Sequence, residues 1–336
     1  MKAKILTLIF CFATLLAYAE NENNAFNASY KYSKKRTIDA NFETIVGTSV
    51  ALIGKYSDYK ISSWEENYVS FHVEIIAKAN KEEYAEEMLY AIDVDFNNEK
   101  NKQKLTAKTI INKINAKNVG YHISYYIMLP QDVFVSIYNT YGDVIMDKAN
   151  NNLYVEMQYG DFSIDDIVST AEIKMNYGDA NIKKAKQINA KINYGDIDIA
   201  DVNSAVFKMN YGSVKLDNVN RLIGELNYSD INVNNIEKHA DIYVNYGDVT
   251  VNKISQDFES MEVQLNYSDI ILNLTEDMSF TYDIKLLYGD IENDLLDKYA
   301  KRIVETKVNT KSMTGNINDS EGKHKITING NYSDVE

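Results

Sequence analysis

The phrase Asn-Tyr-Gly-Asp returns along this chain at a short and nearly constant interval, and that interval limits what the chain can fold into. Aligned on its tyrosine, the phrase falls at Tyr141, Tyr159, Tyr177, Tyr194, Tyr211, Tyr228, Tyr246, Tyr267 and Tyr288. The steps are 18, 18, 17, 17, 17, 18, 21 and 21 residues. A worn copy follows at Thr314-Gly315-Asn316, and a last one at Tyr332-Ser333-Asp334. Fixed-period self-similarity of this kind is the signature of a stacked repeat architecture.

The neighbours of each tyrosine say which architecture. Two residues before it stand Met157, Met175, Ile192, Met209, Leu226, Val244, Leu265 and Leu286. Three after it come residues such as Phe162, Ile197, Val214 and Ile231, five after it Ile164, Ile199 and Leu216, and eight after it Ile167, Val202 and Val219. Polar residues fill the gaps. Each repeat therefore reads as two short strands of period two with corners between them. A strand this short cannot bury its apolar face alone. Stacking like units in register buries it and adds a parallel hydrogen-bond ladder between coils. Seventeen residues is too few for a propeller blade, and no helical period is present. The expected fold is all-β, a parallel single-stranded β-solenoid of coils of about 17–21 residues.

Counting by twos from Met209 places Tyr211 on the inward side. The corner tyrosines are thus expected to be core residues, each stacking on its neighbour about 4.8 Å away. Glycine after the tyrosine implies a conformation, or a close backbone approach, that a β-carbon would obstruct. Ser57, Ser229, Ser268 and Ser333 take the same slot, which argues against a strict positive φ there. The preceding asparagines suit an amide ladder along the stack. The aspartates suit acceptors of backbone N–H groups at the turn. A column of aspartates at coil spacing could also hold calcium. However, Ser213 and Asn316 occupy the slot, and the glycine-rich nonapeptide of calcium-binding β-rolls is absent, so no metal site is assigned.

An earlier copy at Tyr56-Ser57-Asp58 has Tyr59, Ile61 and Trp64 in the matching positions, so a first coil precedes an α/β insertion at about 65–130. In that insertion Val69, Phe71, Val73 and Ile75 alternate with polar residues as a half-buried strand. Asn80 with Glu83 predicts a helix start, with Tyr84, Met88 and Leu89 on one face. Strands are expected around 91–96 and 104–114. Regular coils run from about 133 to 292 and irregular ones from 293 to 336, where Leu296, Tyr299 and Ile303 fit a short helix after Asp294.

Lys2 and Lys4, an apolar run from Ile5 to Leu16 and Ala17-Tyr18-Ala19 read as a signal peptide over residues 1–19, followed by a loose polar leader over 20–41. A lipoprotein signal ending at Cys11 would leave almost no apolar region. Cys11 is the only cysteine, so the exported chain has no disulfide and no thiol chemistry. No later run is long enough to span a bilayer as a helix. Without Lys2 and Lys4, 33 basic residues face 49 acidic ones, a net charge of −16. Such a surface repels nucleic acid and anionic membranes.

The first coil "KYSDYKISSWEENYVSFHVEIIAKA", the helix "NKEEYAEEMLYAI" and the returning "LPQDVFVSIYNTYGDVIMDKANNNLYVEMQYGDFSI" resemble the exported bacterial "putative adhesin" β-solenoids, which are related to autotransporter-adhesin heads. The resemblance covers about residues 42–336. It implies a right-handed β-helix-like fold, a non-catalytic role of unknown specificity, and placement in the periplasm or at the surface of a Gram-negative bacterium. It supplies no catalytic or binding residues.

The residues themselves agree with the absence of catalysis and of a cofactor. Acid–base chemistry needs unlike groups converging, whereas a regular ladder sets like groups in columns. His72, His122, His239 and His324 are scattered, with His72 expected to be solvated. Among Arg36, Arg221 and Arg302, only Arg221 lies in the regular coils. One outward feature invites a ligand: Lys174, Lys191 and Lys208 share the slot three before the tyrosine. They should form a positive row that draws an acidic cell-envelope glycan or a surface protein. Envelope sensing in the periplasm and polysaccharide cleavage are the alternative readings.

Overall fold

The computed structural model describes residues 30–305, 309–318 and 323–336. The expected signal peptide and residues 20–29 of the leader lie outside them. The chain forms two compact units, Met1–Asn151 and Asn152–Glu336.

In the first unit, β1 (Tyr32–Glu43) occupies what the sequence suggests is a loose leader. Its alternation of half-buried and exposed residues lets it pair antiparallel along its whole length with β4 (Tyr68–Ala79). The first coil is β2 (Ser49–Lys55) and β3 (Ser57–Trp64). Helix α1 (Glu82–Ala91), β5 (Ile92–Glu99), β6 (Lys104–Ile111) and β7 (Val119–Pro130) follow, then β8 (Phe134–Thr140) and β9 (Val144–Ala149). β2 lies between β6 and β8, and β3 between β7 and β9, all in parallel pairs. The supposed insertion therefore supplies a coil of its own, stacked on the first. β5 on β6 and β4 on β7 are antiparallel and end the stack.

Helix α1 buries Ala85, Met88 and Leu89, the three-and-four spacing of one face. Lys81, not Asn80, is its N-cap; the Asn80 side chain instead accepts the Lys31 backbone N–H at 3.3 Å. Arg36 from β1 ties the helix end down, donating to the carbonyls of Leu89 and Ile92. Trp64 is half-buried rather than central, with its indole N–H on the Tyr68 carbonyl at 2.9 Å.

The second unit is the regular solenoid. β10 (Leu153–Gln158), β11 (Phe162–Asn176), β12 (Ala180–Asn193) and β13 (Ile197–Asn245) pair in parallel, coil on coil. Ile164, Ile182 and Ile199 stack in one column, and Met175, Ile192 and Met209 in another, all almost fully buried. Burying each such side chain stabilises by roughly 1.5–3 kcal/mol. These columns are what the period-two positions encode. On the outer faces, Lys183 meets Asp165 at 2.7 Å and Lys215 meets Asp198 at 3.1 Å, so opposite charges alternate between coils.

Past β13 the chain order and the spatial order part. β14 (Val249–Val251), β15 (Ser260–Asn266), β16 (Ile270–Leu272) and β17 (Phe280–Leu287) continue the coils. Helix α2 (Asp294–Lys298) is capped by the Asn293 side chain, which accepts the Leu296 N–H at 3.2 Å. The helix stops there: Ile303, expected on it, lies in β18 (Ala300–Glu305), which pairs antiparallel with β19 (Thr310–Ile317). β20 (Lys325–Asn331) then slots between β15 and β17, parallel to both. The last repeat in sequence is regular and interior, not irregular and terminal. β19 on β17 and β18 on β19 turn the end of the stack antiparallel, and Lys301 and Arg302 on the outer strand oppose further pairing.

Candidate binding surface

The corner tyrosines do not point into the core. In the second unit they form one unbroken stack in the order Tyr159, Tyr177, Tyr194, Tyr211, Tyr228, Tyr246, Tyr267, Tyr332, Tyr288. Successive ring centres are 4.8–5.1 Å apart, with planes within 6° of parallel. Each tyrosine is 42–50% exposed. In the first unit Tyr56 stacks on Tyr141 at 4.9 Å, and Tyr121 meets Tyr56 edge-on.

The inward expectation fails for a backbone reason. Every corner tyrosine has a positive φ, 49–59° in the nine-ring stack. Period-two counting assumes extended backbone; one left-handed residue turns the chain and swings its side chain out. That conformation costs a non-glycine residue roughly 1–2 kcal/mol. Stacking of aromatic pairs returns about 0.5–1.5 kcal/mol per contact, and an interior ring has two contacts.

The glycine is explained by the close-approach half of its expectation. A β-carbon on Gly178 would lie 2.0 Å from the Gly160 carbonyl oxygen, and Gly195 and Gly212 repeat the clash on the coil before. Where serine stands instead it is buried, and its hydroxyl donates to the carbonyl two residues back at 2.9–3.2 Å.

Beside the tyrosines run two polar columns. The asparagine amides form the expected ladder: Asn193 donates to Asn176 and Asn210 to Asn193, each at 2.8 Å, and Asn331 to Asn266 at 3.0 Å. The aspartates are joined across coils. Along the column Oδ1 accepts the backbone N–H of the next coil, as from Asp179 to Asp161 at 2.9 Å and Asp196 to Asp179 at 2.8 Å, while Asp290 at its end accepts the Ile291 N–H. Ser213 joins the column with both its N–H and its hydroxyl on Asp196. Among the described residues no group of three His, Cys, Asp or Glu side chains is placed to hold a metal.

Lys174, Lys191 and Lys208 stand in register on adjacent coils. Lys174 pairs with Glu172 at 2.6 Å and lies over the Tyr154 ring, and Lys208 pairs with Glu225 at 2.6 Å. The Glu172 hydrogen bond raises the Lys174 pKa. Within the row only Lys191 has no ion pair among the described residues.

A polar cluster in the first unit is not legible in the sequence, because Lys35 and Asp39 come from β1, within the expected leader. His72 Nδ1 lies 2.6 Å from Asp39, and its other ring nitrogen is 3.6 Å from Glu74, which Lys35 also holds at 2.6 Å. His72 is thus paired, not merely solvated. His122 meets Asp58 at 3.2 Å. Between them lies the buried Tyr126, its phenol pushed up to about 12, first by burial and then by the charge of Glu74.

Residues 72–336 match the Toastrack DUF4097 family. The chain belongs to that family. The stacked corners are thus features of a Toastrack β-solenoid, a family whose description carries no assigned function. No curated protein matches this Toastrack chain in sequence. Among solved structures it is similar, at 13% identity, to one described as "a putative cell adhesion protein from Clostridium sporogenes ATCC 15579". That alignment covers 90% of this chain and 98% of the other with a TM-score of 0.22. Among the described residues no Toastrack helix is long and apolar enough to cross a membrane.

Proposed function

We propose that this chain is an exported, non-catalytic scaffold of the cell envelope, in the periplasm or at the surface of a Gram-negative bacterium. Its binding face is the outward edge of the tyrosine stack, and its partners are a cell-envelope glycan or a surface protein. One observation carries the reading: nine tyrosines are half-exposed yet fixed in a single geometry by their neighbours. Tyrosine supplies large amphipathic contact area at low entropic cost, and binding loops use it together with Ser, Gly and Asn. The corner sequence has the same composition. Here the rotamers are already restrained before any partner arrives, which removes part of the ordering cost of binding. Lys191 and its paired neighbours flank this edge and add a site for an acidic group.

The test compares the purified chain with a Tyr177→Ser/Tyr194→Ser/Tyr211→Ser variant for binding to envelope fractions and to an acidic glycan array. The variant is expected to lose at least tenfold in affinity while keeping its strand signal in circular dichroism. Equal binding by both chains, or binding by neither, removes the tyrosine edge as the binding face. Labelling of intact against permeabilised cells separates surface from periplasm.

A further inference from the structure

A binding face built as a strict repeat favours a partner with the same repeat. The nine rings recur every 4.8–5.1 Å, the strand spacing of β-structure itself. A helix, at 1.5 Å per residue, or an extended peptide, at about 3.3 Å, falls out of step within a few coils. A second copy of this chain matches every ring.

We propose that two copies dock side by side through their tyrosine stacks, pointing the same way, related by a two-fold axis along the stack. This rests on the tyrosine edge being a binding face. Symmetry chooses the direction. Around each coil the asparagine and the lysine slot precede the tyrosine and the aspartate follows it, so the two columns flank the stack on opposite sides. A two-fold along the stack exchanges left and right at constant height. It sets each copy's aspartate column over the partner's asparagines and lysines. A two-fold across the stack would instead set aspartates over aspartates, which repel by about 1 kcal/mol per close pair in water.

The groups left over after folding complement each other in this arrangement. Asp179 and Asp196 each accept the next coil's N–H through Oδ1, which leaves Oδ2. Asn193 and Asn210 each use one amide hydrogen in their ladder and keep the second. Lys191 has no ion pair within its own chain among the described residues, and at its height the partner presents Asp196. Area is sufficient as well. A half-exposed aromatic leaves about 100 Å², so nine offer on the order of 900 Å² per copy, against the ~800 Å² that a standard interface buries on each side. Self-complementary two-fold contacts are the commonest way for a soluble chain to associate.

Sedimentation equilibrium of the full purified chain at physiological salt is expected to show a dimer at tens of micromolar. Lys174→Glu/Lys191→Glu/Lys208→Glu should weaken self-association at least tenfold, because the new carboxylates face the partner's aspartates. Asp179→Lys/Asp196→Lys should do the same alone, and an equimolar mixture of the two variants should recover a heterodimer. If the lysines in the aspartate column perturb the fold, Asp179→Asn/Asp196→Asn keeps the Oδ1 acceptor, cancels the charge and serves in the same mixture. A triple lysine variant that dimerises as tightly as the parent overturns the parallel arrangement. A monomeric parent overturns self-docking altogether. If that monomer still binds envelope fractions in a tyrosine-dependent way, the binding face stands without it.

Discussion

Each corner tyrosine carries an unfavourable backbone and a favourable ring, and substitutions can separate the two. Tyr194→Ala removes two stacking contacts while keeping φ near 58°. It should cost about 1–3 kcal/mol. Ile192→Ala, two residues earlier and 1% exposed, should cost about 2–5 kcal/mol by emptying the core. Urea midpoints of the two variants decide the matter: a larger loss at Tyr194 would mean that the ring is effectively buried. Asparagine tolerates the left-handed region better than alanine, so Tyr194→Asn should be less damaging than Tyr194→Ala. A reversed order would show that strain at the corner is unimportant. At this scale the sequence is legible wherever the backbone is extended. Met209, Val214, Leu216 and Val219 are all at most 1% exposed, as their period-two slots require. The outward turn of the tyrosine is not legible, because a single left-handed φ is invisible to a count by twos and the glycine that signals a turn stands one residue later.

Elements here are columns across coils as much as strands along the chain. Gly178→Ala drives a β-carbon to 2.0 Å from the neighbouring carbonyl, so it should destabilise by about 1–3 kcal/mol even though alanine is small. An unchanged melting temperature would mean that the coils can separate locally at no cost. The aspartate column gives two further expectations. Its Oδ1 atoms already receive N–H groups, and no three acidic side chains converge among the described residues, so calcium or a chelator should leave the melting temperature nearly unmoved; a saturable rise of several degrees would reveal bound metal. In the outermost coil the Lys311 hydrogen bond, and then the Ile291 N–H, hold Asp290 below the usual carboxylate range, and Asp290 raises Lys311. A depressed carboxylate stabilises above its unfolded value near 4, and that contribution is lost as pH falls through its lowered folded value. A raised lysine stabilises below about 10.4, and that contribution is lost as pH rises through its raised value. The stability gap between the parent and Lys311→Met should therefore be widest between about pH 5 and 10 and should close on both sides. A gap independent of pH would assign the loss to packing. The lysine row could be read from its spacing. The Glu225 that pairs with Lys208 is legible too, since it holds the same slot one coil on. The pairing of Lys174 with Glu172 is not, because two neighbours on one outward strand face can turn to each other or to the adjacent coils.

For the whole molecule, a stack of nearly equivalent coils predicts uneven tolerance to deletion. Removing residues 194–210 takes out one complete coil and brings Asn193 to Tyr211 in register, so the melting temperature should shift by only a few degrees. Removing residues 323–336 takes out the coil on which both β15 and β17 depend, and should free β17 to β19 as a protease-sensitive segment. Equal outcomes for the two deletions would contradict the threaded end. The steps of 21 residues hint at irregularity there, but nothing in the repeat tells that Tyr332 sits between Tyr267 and Tyr288, since stacking in chain order is the simplest reading. The threading also bears on how the chain is made. Tyr267 waits 65 residues for the coil that covers it. Closing so long a loop is entropically costly but only logarithmically so; the larger matter is timing. A second unit made from its amino-terminal side can add coils one by one up to Tyr267, and must then hold an uncovered edge until Lys325–Asn331 and Tyr332 arrive. Closure of the stack thus waits on β20, and a chain cut short before it presents a bare strand, on β15 and on β17, to any protease or chaperone it meets.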